Sequence, residues 1–185
     1  METYEAITTR RSVPKTDGRV PDKAVVERLI RAGIAAPNHH LSEPWRFVVL
    51  RGDALRELGE AWAAGEERAG GDPEKVRAKP FRAPVILAVI ERPNKSNPKV
   101  VEIEEHHAVG AAIQNILLAA HDGGLAAMIR TGPAAALREV RDYLRVTDDE
   151  IIAGFVYLGY PAEGFEKKAP RKSSPEELTE WRGWE

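Results

Sequence analysis

Arg10, Arg11 and Ser12 place two guanidiniums and a hydroxyl at consecutive positions. That combination suits a phosphate, because a guanidinium presents a planar fork that bonds anionic oxygens in pairs. The same cations would equally offset the negative end of a helix that stops there. A second polar stretch, Pro37-Asn38-His39-His40-Leu41-Ser42-Glu43-Pro44, separates two apolar segments. Asn38 and His39 offer donors and acceptors to a heteroaromatic ring, and ordinary turn chemistry is the alternative. Ile129, Arg130 and Thr131 stand where a short apolar run ends at Gly132-Pro133, and ligands commonly bind at the carboxyl ends of strands in α/β sheets. A guanidinium at the mouth of a buried strand needs a partner. The fourth stretch, Lys167 to Lys172 with Arg171 inside it, reads by itself as a solvated tail.

Other chemistries are missing or weak. No G-x-G-x-x-G follows a strand, and there is no P-loop and no G-x-S-x-G. No pair of carboxylates is set in an apolar context that would tune one of them. His39-His40 and His106-His107 do not read as metal sites, since neighbouring helix positions face about 100° apart and no third ligand lies close in sequence. The absence of cysteine excludes disulfides, thiolate zinc sites, iron–sulfur clusters and thiol nucleophiles, so redox chemistry would need a bound cofactor. With 27 basic and 29 acidic side chains the net charge is −2, which removes the electrostatic basis for nucleic-acid binding. The amino-terminal residues lack the apolar core of a secretion signal. The longest apolar runs, Ala83–Ile90 and Ala108–Ala120, are shorter than the ~20 residues of a membrane span. A cytoplasmic protein with no membrane and no nucleic-acid partner is expected.

The elements that must position these residues follow from periodicity. Apolar residues at three- and four-residue spacing predict helices near 3–10, from Asp22 as cap to Pro37, over 53–69, over 101–122 and over 134–144. The helix over 101–122 is charged at first and then apolar on most sides, which places it in the middle of the protein or against another subunit. Aromatic and β-branched residues predict strands at 45–50, 125–130 and 151–158. The continuously apolar 85–90, flanked by prolines, predicts a strand buried on both faces. Thr147 to Glu150 carries the pattern of a capping box feeding the last strand. A polar stretch without assigned elements joins Gly70 to Pro84, and a loop spans Arg92–Lys99. Four strands among at least five helices imply an α/β sandwich with helices on both faces of a small sheet.

In this order and spacing, the stretches RRS at 10–12, APNHHLSEPWRFVVL at 36–50, PFRAPVILAVI at 80–90, the alanine-rich helix followed by GGLAAMIRTGP, and GFVYLGYPAE at 154–163 resemble the nitroreductase family of FMN-dependent oxidoreductases, closest to its short single-domain members. The resemblance implies an α/β (α+β) three-layer sandwich over 1–185: a small mixed, mainly antiparallel sheet flanked by helices. It also implies a homodimer with flavin sites at the interface, and a tail from about 163 to 185 packing on the partner subunit. By that resemblance Arg10, Arg11 and Ser12 match the segment holding the FMN phosphate and ribityl chain. Asn38 and His39 match the loop contacting the partner's flavin, Ile129, Arg130 and Thr131 the segment along the ring, and Arg171 a basic residue near the phosphate. The chain departs from the family at His40 and Glu43, where Ser or Thr and Gln are usual, and at Ile129, where an aromatic is usual.

The implied function is reduction of small acceptors such as nitroaromatics or quinones by NADH or NADPH, in ping-pong order through FMN. No catalytic side chain and no metal is needed, because the flavin carries the chemistry. The alternatives are a specialised member of the same fold (dehalogenating, enone-reducing or flavin-fragmenting) and a flavin-binding storage or regulatory module. An adaptor using Trp181 and Trp184 for partner contact is a third.

Overall fold

The structure is a computed structural model that describes residues 1–165 and 173–184. Its centre is β2 (Val85–Glu91), in which every residue is buried. The run of apolar residues here has no polar alternation, and it is covered on both faces. β2 lies between β1 (Trp45–Arg51) and β4 (Ile151–Gly159), and β3 (Ala126–Arg130) closes the other edge in the order β1-β2-β4-β3. All three pairings are antiparallel, in line with the mainly antiparallel sheet expected. β2 and β3 do point the same way, but β4 inserts between them and is antiparallel to both.

Side-chain alternation divides the core in two. Val85, Leu87, Val89, Ala127, Val156 and Leu158 face α2 (Lys23–Ile34) and α5 (Glu102–Asp122). Leu50, Ile86, Ala88, Ile90, Phe155 and Tyr157 face α3 (Asp53–Arg68) and α6 (Arg138–Tyr143). Burying an aliphatic side chain contributes about 1.5–3 kcal/mol, so these two layers supply most of the force that fixes the sheet. α5 buries Ala108, Val109, Ala112, Ile113, Ile116, Leu117 and Ala120, and Asn115 Nδ2 ties it to α2 by donating to the Ala32 carbonyl at 3.1 Å.

Several boundaries differ from expectation. α1 (Thr3–Thr9) ends one residue early, and Asp22 sits at the start of α2 without a side-chain cap bond. The stretch 134–144 is not one helix: a 3-10 turn over Pro133–Ala136 is followed by an extended Leu137 and then α6. Leu137 is buried in the second core, so packing overrides helix continuity. The polar stretch after Gly70 contains α4 (Glu74–Arg77), which buries Val76, and a 3-10 turn over Lys79–Arg82. Thr147 to Glu150 forms a turn, and the Glu150 carboxylate accepts the Thr147 N–H at 3.1 Å as the capping pattern requires. In the tail, α7 (Pro175–Leu178) carries a capping box on Ser174 and Glu177. Leu178, Trp181 and Trp184 are exposed. Lys167, Lys168, Arg171 and Lys172 lie outside the described residues.

Candidate functional site

The chain leaving α1 runs along the outer edge of β3. Val13 N–H donates to the Ala127 carbonyl at 3.1 Å, Asp17 N–H to the Tyr160 carbonyl at 3.0 Å, and Thr16 bridges Pro161. Arg10, Arg11 and Ser12 lie between the end of α1 and this contact of Val13 with β3. The two arginines differ in what they do there. Arg11 Nη1 donates to the Thr8 and Arg10 carbonyls, each at 2.8 Å. It caps the end of α1, the electrostatic alternative open from sequence. Arg10 is half-buried and pairs with no carboxylate among the described residues, and Ser12 is exposed.

Alternation along β3 sends Ile129 toward α5 and Arg130 to the opposite face. Ile129 packs at the first core. Arg130 lays its guanidinium over the Tyr157 ring, 5.4 Å from the centroid, and its Nε is buried without a hydrogen-bond partner among the described residues. Burial pushes the Tyr157 hydroxyl above its ordinary range, against the opposing pull of Arg130 and Arg82. Thr131 is exposed, and Gly132 follows at φ 121° with open space where a Cβ would stand. This edge thus offers surplus positive charge and unsatisfied donors, the requirement for holding an anion.

Asn38 and His39 are elsewhere. Their loop enters β1, at the opposite edge of the sheet, three strand spacings or about 14 Å from β3. One chain therefore does not bring them to Ile129–Thr131. Asn38 braces the loop: its Nδ2 donates to the Ala36 carbonyl at 3.3 Å, and its Oδ1 accepts the Glu43 N–H at 3.0 Å. His40, Leu41 and Glu43 all have positive φ, at 53°, 52° and 44°, a backbone region that costs a non-glycine residue on the order of 1 kcal/mol. The His39 and His40 rings stack at 4.3 Å. His39 Nδ1 meets Glu104 Oε2 at 2.5 Å, and this hydrogen bond holds the Glu104 carboxyl below the usual carboxylate range.

The loop and α5 border an open depression of about 530 Å³ lined by Pro37, Asn38, His39, Glu104, His107, Ala108 and Ala111. Glu104 was not singled out from sequence, and His107 was weighed there only as half of an adjacent histidine pair. Their signal was present, since positions 104, 107, 108 and 111 recur at helical spacing on one face. His106 turns away, as the 100° rule requires, and approaches the buried Glu91. Its Nδ1 lies 2.7 Å from Glu91 Oε1. No group of three metal-ligating side chains occurs among the described residues, nor is any described helix long and apolar enough to cross a membrane.

The profile of the Nitroreductase family matches residues 7–160. The Escherichia coli K12 protein named "Putative NAD(P)H nitroreductase YdjA" is 30% identical over 164 residues, covering 87% of this chain and 89% of that protein. A solved nitroreductase with bound FMN from Bacteroides fragilis is 26% identical, covers 98% of this chain and 100% of its own, and superimposes with a TM-score of 0.77. A nitroreductase-like protein from Bacillus cereus shares the fold at a TM-score of 0.84 and 24% identity, over 100% of this chain and 97% of its own.

Proposed function

The chain belongs to the nitroreductase family, and from that premise we propose that it is an FMN-dependent oxidoreductase that passes electrons from NADH or NADPH to a small acceptor such as a nitroaromatic or a quinone. The observation that carries the reading is the β3 edge, where the buried Arg130 Nε has no hydrogen-bond partner among the described residues. A phosphorylated flavin fits this edge, because its phosphate and pyrimidine edge are the acceptors that such donors lack. When bound, FMN supplies hydride transfer in both directions.

In this reading Arg10 and Ser12 bind the phosphate, and Arg11 supports them by fixing the end of α1. Ile129 and Thr131 border the ring, and Arg130 supplies positive charge for the anionic reduced flavin. Arg171 is assigned to the phosphate by family resemblance alone. The working unit is a homodimer. The sheet-wide separation of the Asn38–His39 loop from Arg130 supports a site completed by the loop of a second copy, and the exposed Leu178, Trp181 and Trp184 support a tail that packs on the partner. The chain is one FMN-binding domain over 1–185.

Purified protein is expected to be yellow and to release a chromophore carrying one phosphate. NADPH is expected to bleach it within seconds, and double-reciprocal plots with a quinone to be parallel. A colourless protein overturns the reading, and bound flavin that NADPH does not reduce would leave a binding module instead.

A further inference from the structure

Arg130 on β3 and Tyr157 on β4 share one face of the sheet. The register pairs Met128 with Tyr157 and Arg130 with Phe155, so Arg130 is the diagonal neighbour of Tyr157, within reach of a long side chain. Its guanidinium carbon stands over the Tyr157 ring, 5.4 Å from the centroid, inside the range of about 6 Å at which an aromatic face holds a cation. The ring itself has a fixed place, since Tyr157 is buried in the second core with Ile86, Ala88 and Phe155. Arg46 and Arg68 are held differently. Each meets a carboxylate, Glu150 and Glu139 respectively, through two nitrogens, and so commits its donors and its charge. A neutral ring cancels no charge. Burial keeps the Tyr157 phenol protonated against the pull of Arg130 and Arg82, and Arg130 retains at Nε a buried donor with no hydrogen-bond partner among the described residues. A donor in that state is costly until an acceptor reaches it.

We propose that Tyr157 is the positioning residue for Arg130: its ring holds the guanidinium at the β3 edge without neutralising it, and thereby raises the reduction potential of the bound flavin. The inference rests on the flavin reading above and deepens it by naming what fixes the cation. Arg130 meets one more negative charge after hydride has arrived at the cofactor than before, while the phosphate is the same in both states. A cation held close therefore favours the reduced form. Released from the ring, the guanidinium would turn toward solvent, where its charge is screened. The Tyr157 hydroxyl has no part in this, so the ring alone should suffice.

The test measures the two-electron midpoint potential of the holoenzyme in the wild type, Tyr157→Leu, Tyr157→Phe, Arg130→Gln and the double variant Arg130→Gln/Tyr157→Leu. Tyr157→Leu is expected to weaken binding of reduced relative to oxidised FMN about tenfold, which lowers the potential by about 30 mV. Tyr157→Phe should hold the wild-type potential, and the double variant should shift no further than Arg130→Gln alone. In the wild type, NMR should show nuclear Overhauser contacts between the Arg130 side chain and the Tyr157 ring protons. An unchanged potential in Tyr157→Leu, an equal fall in Tyr157→Phe, additive shifts in the double variant, or absent ring contacts overturns the proposal. Arg130→Gln and the wild-type spectrum leave the core intact, so an unchanged potential in Arg130→Gln overturns it even where Tyr157→Leu does not fold. A colourless wild-type protein marks failure of the flavin reading, whereas a yellow one whose potential ignores Tyr157→Leu marks failure of this inference alone.

Discussion

A Cβ added to Gly154 on β4 would stand 2.9 Å from Ile129 Cδ1 and 3.1 Å from Ile129 Cγ1 on β3, with the Arg130 carbonyl oxygen at 3.4 Å. Gly154 is a notch cut for Ile129, placed next to the register shift at Val89/Ile90. The residue that borders the proposed flavin ring is therefore seated by the absence of a side chain on its neighbour strand.

Gly154→Ala crowds the Ile129 side chain, which must shift, and overpacking of this kind costs about 1–3 kcal/mol. Thermal melts should show the loss, and Ile129→Ala in the same chain should recover part of it. Additive losses in the double variant would show that the two residues do not compete for the same space.

Arg10 and Arg11 should separate. Arg10→Ala removes one charge-assisted bond to phosphate, worth roughly 1.5–3 kcal/mol, and weakens FMN binding about 10–150-fold by fluorescence titration. Arg11→Ala, which loses the bonds to the Thr8 and Arg10 carbonyls, should lower the melting temperature of the apoprotein and affect FMN less. The reverse ranking would reassign the phosphate to Arg11.

Glu150 is nearly fully buried and forms a two-pronged bond with Arg46, both contacts at 2.7 Å. The Arg46 hydrogen bond, aided by the Thr147 N–H, holds its carboxyl below the usual range against the cost of burial. A carboxyl depressed in the folded state stabilises fully above its unfolded value of about 4.3, and that contribution fades as pH falls through the lower folded value. Urea midpoints between about pH 2 and 7 should fall on this acid limb, and in Glu150→Gln the limb should flatten while stability near neutrality drops by about 2 kcal/mol. An unaltered acid limb would mean that other carboxylates govern it.

His106 gives the opposite slope. The Glu91 carboxylate is the largest influence on it and raises its pKa above the ordinary value. A histidine raised in the folded state stabilises fully below about 6.5, and this is lost as pH rises through the folded value. Wild-type stability should decline on the alkaline side of neutrality relative to His106→Gln. Parallel pH profiles for the two would remove the Glu91 contact as the cause.

The strands were legible because their signal is local. Val85–Ile90 has no polar residue to expose, and burial on both faces follows whatever the rest of the chain does. α5 was legible from its apolar period and the glycines that end it. The split at Leu137 was not, because local spacing favours one helix and only the second core rewards an extended residue there. The positive φ values at His40, Leu41 and Glu43 were hidden for a related reason: none is glycine, so no residue type announces the bend.

The polar residues show where local information stops. Composition and periodicity, read from sequence alone, determine a small α/β chain without thiols, and its resemblance to the nitroreductase family implies flavin binding by arginines at 10, 11, 130 and 171. Which arginine caps a helix and which faces outward was decided by the path of the chain past β3. Likewise His39 finds Glu104 across 65 positions and Arg46 finds Glu150 across 104. A charged group takes whichever opposite charge the packed elements bring within reach. That proximity is created by burial of the apolar layers and is written in no single stretch of sequence.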